Sequence, residues 1–130
     1  MAQAIAGIPA WLHRDPVGAA EHVHRAGVDP AYRETWRGIS AHVIPSVIWS
    51  LYAFLRSPDD YWETVCTAIA VGGDTDTMAA MAGAMSGARL GPGALPPHLL
   101  ERVNDRGEWG APALTELARA AASAIRPRGD

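Results

Sequence analysis

The sequence predicts an all-α helical bundle, and three observations carry that expectation. Apolar residues recur at three- and four-residue spacing along most of the chain, and prolines and glycines punctuate the segments between them. No stretch alternates apolar and polar residues between turn signals, as a half-buried strand does. No fixed-period repeat is present, which argues against a solenoid. At 130 residues, 48% of them hydrophobic and 19% charged, the chain suits one compact unit with a real core.

In the first forty residues Pro16, Gly27, Pro30 and Gly38 separate short helical stretches, expected at 17–26 and 31–37. Val47, Ile48, Leu51 and Leu55 share one face at helical spacing and predict a helix over 46–55, which Pro58 ends. Ser57-Pro58-Asp59-Asp60 reads as the next start, with Ser57 as N-cap, Pro58 at the first helical position and acids in the first turn. That helix is expected to reach about Val71, where Gly72-Gly73 supplies the left-handed backbone of a helix exit.

Thr75–Leu90 is the expected central helix, because Met78, Met81 and Met85 stand among residues that are nearly all Ala, Gly or Ser. Two smooth stripes, Ala80/Ala84/Ala88 and Ala79/Gly83/Gly87, predict close neighbours on two sides. Gly91-Pro92 stops this helix. A short helix over 97–103, a loop over 105–110 and an amphipathic helix over 113–125, with Leu114, Leu117 and Ala121 inward, complete the chain.

Bulk properties exclude several function classes. A net charge of -3 without a Lys/Arg cluster lacks the footprint that phosphate-backbone binding needs, so nucleic acid is not an expected partner. The most apolar stretch, 41–55, is interrupted by Pro45 and falls short of the roughly 20 residues of a membrane span. The opening Met1-Ala2-Gln3-Ala4-Ile5 has no basic residue before an apolar run, unlike a secretory signal. Cys66 is the single cysteine, expected buried and inert. Together these predict a cytoplasmic protein.

The stretch that concentrates chemistry is Gly72-Gly73-Asp74-Thr75-Asp76-Thr77, two carboxylates and two hydroxyls in a turn between apolar helices. Carboxylates this close repel unless a pKa rises or a cation neutralises them. Oxygen donors without nearby Cys or His suit magnesium. The plain reading stands beside this one: Asp74 or Thr75 is an N-cap, and Asp76 a first-turn acid that complements the helix dipole. A phosphate loop is disfavoured, since two acids repel a phosphate.

Other candidates carry less. His22 and His24, two apart on a helix, point in nearly opposite directions and cannot share one ion. His13, His42 and His98 are isolated. Trp36, Trp49, Trp62 and Trp109 have faces large enough to stack an adenine, but Trp49 and Trp62 fit helical core patterns, whereas Trp109, in a loop, is expected to be exposed. The methionines of 75–90 read as gap fillers.

The run Thr67-Ala68-Ile69-Ala70-Val71-Gly72-Gly73-Asp74-Thr75-Asp76-Thr77-Met78-Ala79-Ala80-Met81-Ala82-Gly83-Ala84 closely resembles the C-terminal signature of the ADP-ribosylglycohydrolase family. Upstream, Ile44-Pro45-Ser46-Val47, Tyr52-Ala53-Phe54-Leu55 and Ser57-Pro58-Asp59-Asp60-Tyr61 resemble the family's preceding helix and connector. Downstream, Ser86-Gly87-Ala88-Arg89-Leu90-Gly91 and Leu95-Pro96 continue the likeness, which covers about 38–120.

The resemblance implies an all-α fold and a two-magnesium centre with Asp74, Asp76 and Thr77 as ligands. It also implies hydrolysis of the bond from C1 of the distal ribose of ADP-ribose to an acceptor, on an ADP-ribosylated protein or an ADP-ribose-containing small molecule. The family's further ligands, in a Thr-Asp-Asp-Thr motif of an N-terminal half, have no counterpart before Gly72. The expected site is therefore incomplete, in a fragment, in a split enzyme completed by another chain, or in a remnant. An apolar face left uncovered predicts self-association or pairing with that half. The alternative from another class is a non-catalytic helical interaction module.

Overall fold

A computed structural model describes residues 2–24, 26 and 37–125. Among those residues its regular structure is helical apart from one small hairpin and an isolated bridge, as the periodicity predicts. The chain groups into two compact units, Met1–Ala94 and Leu95–Asp130.

In the first unit α1 (Ala2–Trp11) and α2 (Pro16–Val23) precede α3 (Val43–Arg56), α4 (Tyr61–Ile69) and α5 (Thr75–Leu90), and a 3-10 turn follows at Pro92–Ala94. The α2 start is locally encoded: Pro16 stands at the first helical position and the Asp15 carboxylate accepts the Gly18 N–H at 3.0 Å. The expected 31–37 helix, with Trp36, lies outside the described residues except for Arg37.

The core lies where α3, α4 and α5 meet, joined by Ile8, Ala19, Val23 and Ile39. Trp49 and Tyr52 of α3 are fully buried and stack with ring centroids 4.7 Å apart. The Trp49 indole N–H donates to the Ala68 carbonyl at 2.9 Å, so it satisfies one of the carbonyls that the end of α4 leaves free. Trp49 is thus core, as its pattern predicts; Trp62 is not, being half exposed on the flank of α4. Cys66 is half-buried rather than enclosed.

The α3–α4 connection departs from expectation. Ser57 caps the C-terminal end of α3, and the N-cap of α4 is Asp60, whose carboxylate accepts the Glu63 N–H at 2.9 Å. Two contacts decide it: the Thr64 hydroxyl donates to the Ser57 carbonyl at 2.8 Å, and the Asp60 N–H closes a turn onto that same carbonyl.

Helix α5 spans the expected residues and packs against both α3 and α4. Met78, Ala82, Gly83 and Ser86 form its buried face, and a Cβ on Gly83 would come 3.2 Å from the Tyr61 hydroxyl oxygen. Only one predicted stripe is covered: Ala80, Ala84 and Ala88 are exposed, because α4 sits on the Gly83 side.

The second unit holds α6 (Pro97–Leu100), a hairpin of β1 (Asn104–Asp105) with β2 (Trp109–Gly110), and α7 (Ala111–Ala124). Arg106 and Gly107 turn the hairpin with positive φ, so the predicted loop contains two minimal strands. Trp109 is exposed, as expected. The inward placement of Leu114, Leu117 and Ala121 fails, since all three are exposed; among the described residues of this unit only a one-turn helix and a two-residue-strand hairpin are available to cover them. No described helix is long and apolar enough to cross a membrane.

Candidate functional site: the acidic turn at the start of α5

The site begins in backbone geometry. Gly72 and Gly73 both take positive φ, 73° and 93°, so the chain leaves α4 in the left-handed region that their sequence implies. This exit is held by an element that sequence reasoning missed: Ile39 pairs with Gly73 as an isolated parallel bridge. The Ile39 N–H donates to the Gly72 carbonyl at 3.2 Å, and the Asp74 N–H donates to the Ile39 carbonyl at 2.8 Å. Only Gly38, a turn signal, marked the place in the sequence; its φ is +86°, and a Cβ there would lie 2.5 Å from the Gly72 carbonyl carbon.

On that support Asp74 is the N-cap residue of α5, Asp76 lies in its first turn, and Thr77 follows. Asp74 is half-buried; Asp76 and Thr77 are exposed. The neighbouring Asp74 side chain, first, and the Asp76 and Thr77 backbone N–H groups hold the Asp76 carboxyl below the usual carboxylate range, against a small desolvation cost. A cation shared by two carboxylates of one turn would offset their mutual repulsion.

What Asp74 does not do matters equally. Asp15 and Asp60 cap α2 and α4 through their carboxylates, whereas the Asp74 side chain makes no capping hydrogen bond. Its oxygens are therefore not taken up by the first-turn N–H groups. Asp74, Asp76 and the Thr77 hydroxyl are hard oxygen donors of the kind magnesium takes, one or two carboxylates with water filling the remaining positions. Among the described residues no group of three or more His, Cys, Asp or Glu side chains is placed to hold a metal, so these three residues form at most part of a coordination shell.

The other candidates do not converge on this turn. His22 stacks on Trp11 with centroids 5.6 Å apart and nearly parallel planes. His13, His24, His42 and His98 are exposed. Among the described residues, a cleft of about 520 Å³ is lined by Val17, Glu21 and His24 on one side and by Arg37, Gly38 and Val71 on the other. It shares Gly38 and Val71 with the support of the acidic turn, but Asp74, Asp76 and Thr77 do not line it.

No curated protein and no solved structure matches the chain. The family model for ADP-ribosylglycohydrolase matches residues 1–130. The Gly72 to Thr77 turn thus lies inside a match that runs the length of the sequence, and the chain belongs to the ADP-ribosylglycohydrolase family.

Proposed function

We propose that the chain supplies the magnesium-binding acidic turn of a hydrolase that cleaves the glycosidic bond between ADP-ribose and an acceptor. The observation that carries this reading is that Asp74, the N-cap residue of α5, makes no capping hydrogen bond while a second carboxylate, Asp76, stands in the same first turn. A helix N-terminus carries partial positive charge and opposes a cation, so a cation there needs more than one carboxylate to hold it. Asp74 and Asp76 meet that requirement, and the Thr77 hydroxyl adds a neutral oxygen.

When bound, magnesium supplies positive charge that orients ribose hydroxyls and water at an anomeric carbon developing oxocarbenium character. The chain's own contribution is to fix two carboxylates and a hydroxyl on a turn clamped by Ile39 and to keep the Asp76 carboxyl ionised, the form that binds a cation. The remaining ligands lie outside this sequence, in a partner or continuing segment bearing a Thr-Asp-Asp-Thr motif. The chain alone therefore binds magnesium weakly.

The test combines the chain with such a helical half and follows ADP-ribose release from an ADP-ribosylated protein. Release is expected with both parts and magnesium, and its loss is expected in Asp76→Ala. Release that survives Asp76→Ala removes this aspartate from the mechanism. The second reading, a non-catalytic helical interaction module, is favoured by the absence of a three-carboxylate or histidine cluster among the described residues. It predicts stable association with the other half without any release of ADP-ribose.

A further inference from the structure

A run of buried hydrogen bonds leads away from the acidic turn. Asp74 donates its N–H to the Ile39 carbonyl. The next residue, Ser40, offers its carbonyl to the Ser46 hydroxyl at 2.8 Å. The Ser46 carbonyl accepts the Ser50 hydroxyl at 2.8 Å, and Ser50 lies 3.4 Å from the Met78 carbonyl. Met78 in turn donates its N–H to Asp74, which closes the circuit. Ile39, Ser40, Ser46, Ser50 and Met78 are all essentially sealed from solvent.

The two serines are not equivalent. A helical serine commonly donates to the carbonyl one turn back, a local bond with no wider role. Ser50 does this: its shorter bond is to Ser46, and Met78 is at the limit of hydrogen bonding. Ser46 does the reverse, since its shorter bond crosses to Ser40 at 2.8 Å while the carbonyl one turn back, on His42, lies at 3.0 Å. Ser46 thus has an acceptor outside its own helix at full hydrogen-bond distance, which Ser50 lacks.

We infer that Ser46 is a positioning residue: its hydroxyl ties the Ile39–Ser40 backbone to α3, and through the Ile39 carbonyl it sets where the Asp74 carboxylate stands. The inference rests on the reading of Asp74 as a cation ligand. It separates position from stability, because loss of a buried hydroxyl anywhere in α3 lowers stability, but only loss at Ser46 loosens the Asp74 backbone.

The experiment uses the isotope-labelled full chain, as wild type, Ser46→Ala and Ser50→Ala. Without metal, amide hydrogen exchange at Asp74 is measured against that at Ala82 in the core of α5. Ser46→Ala is expected to speed Asp74 about tenfold relative to Ala82, and Ser50→Ala to leave the ratio within about twofold. Manganese chloride is then titrated as a paramagnetic probe of the Asp74, Asp76 and Thr77 amides. Half-broadening is expected at about threefold or more higher manganese in Ser46→Ala than in wild type and Ser50→Ala.

An Asp74 to Ala82 exchange ratio unchanged in Ser46→Ala overturns the inference, as does identical broadening in that variant and wild type. Absence of selective broadening in wild type sinks the cation reading itself, and the positioning role falls with it. Should Ser46→Ala fail to fold, Ser46→Cys keeps the volume with a weaker donor, and the same two ratios decide.

Discussion

Replacing Gly73 with alanine tests whether the acidic turn depends on the close approach of Ile39 or only on an unusual backbone angle. Gly73 has φ +93°, and a Cβ built on it lies 2.7 Å from the Ile39 carbonyl carbon and nearer still to its oxygen. Relaxing that overlap requires the bridge to open, which breaks the Ile39 to Gly72 and Asp74 to Ile39 hydrogen bonds. A left-handed alanine costs about 1–2 kcal/mol, and each lost bond about 0.5–1.5 kcal/mol. Gly73→Ala should therefore cost roughly 2–5 kcal/mol.

Gly72 is the internal control, for its φ is +73° but its nearest contact to an added Cβ is ordinary, the Arg37 carbonyl oxygen at 3.9 Å. Gly72→Ala should carry only the backbone part, about 1–2 kcal/mol. Gly38→Ala should behave like Gly73→Ala, because its Cβ meets the Val71 and Gly72 carbonyls. Urea denaturation followed by circular dichroism reads all three. Equal costs for Gly72→Ala and Gly73→Ala would refute the steric argument and leave the bridge without a role in holding the loop.

Two further predictions concern single side chains. The Gly18 N–H, hydrogen-bonded to Asp15, is the main cause holding the Asp15 carboxyl below its ordinary value. A depressed folded pKa means stability present above the unfolded pKa of about 3.9 and lost as pH falls through the folded value. Asp15→Ala should thus lower the melting temperature at neutral pH, with the difference from wild type closing in strong acid; a difference independent of pH would exclude the carboxylate cap as its source. Ser86 Oγ is fully buried without a hydrogen-bond partner among the described residues. Ser86→Ala should raise stability by about 1 kcal/mol through relief of that desolvation, and a clear loss of stability would mean that the hydroxyl is paired after all.

Elements were legible where their boundaries are written locally. Thr75–Leu90 is bounded by Gly72-Gly73 on one side and Gly91-Pro92 on the other, and the helix occupies those residues. At Ser57 two local signals compete, and a distant residue, Thr64, settles the matter by taking the Ser57 carbonyl. Periodicity failed in α7 for a different reason. Leu114 and Leu117 share a face as predicted, but a face is buried only where something covers it, and hydrophobic spacing says nothing about supply. The two Ala/Gly stripes of α5 show the same limit, since their residues are alike and only one meets Tyr61.

The acidic turn was legible as a motif but not as a built object, because its support comes from residues far upstream that carry no acidic or aromatic mark. Ile39 contributes backbone alone, which any residue can offer, and Ser46 lies in an apolar run where a serine reads as neutral filler. The choice between a simple helix cap and a cation ligand is equally invisible in sequence, since both use an aspartate before a helix. Structure adds an internal comparison: Asp15 and Asp60 show how this chain caps a helix with aspartate, carboxylate turned onto the N–H three residues on. Asp74 occupies the same position and makes no such bond, and Asp76 stands two residues on in the same turn. A turn that only started α5 would gain by adopting the arrangement used at the other two helices. The missing cap bond supports a role outside helix initiation, and a hard cation would let both carboxylates stay charged.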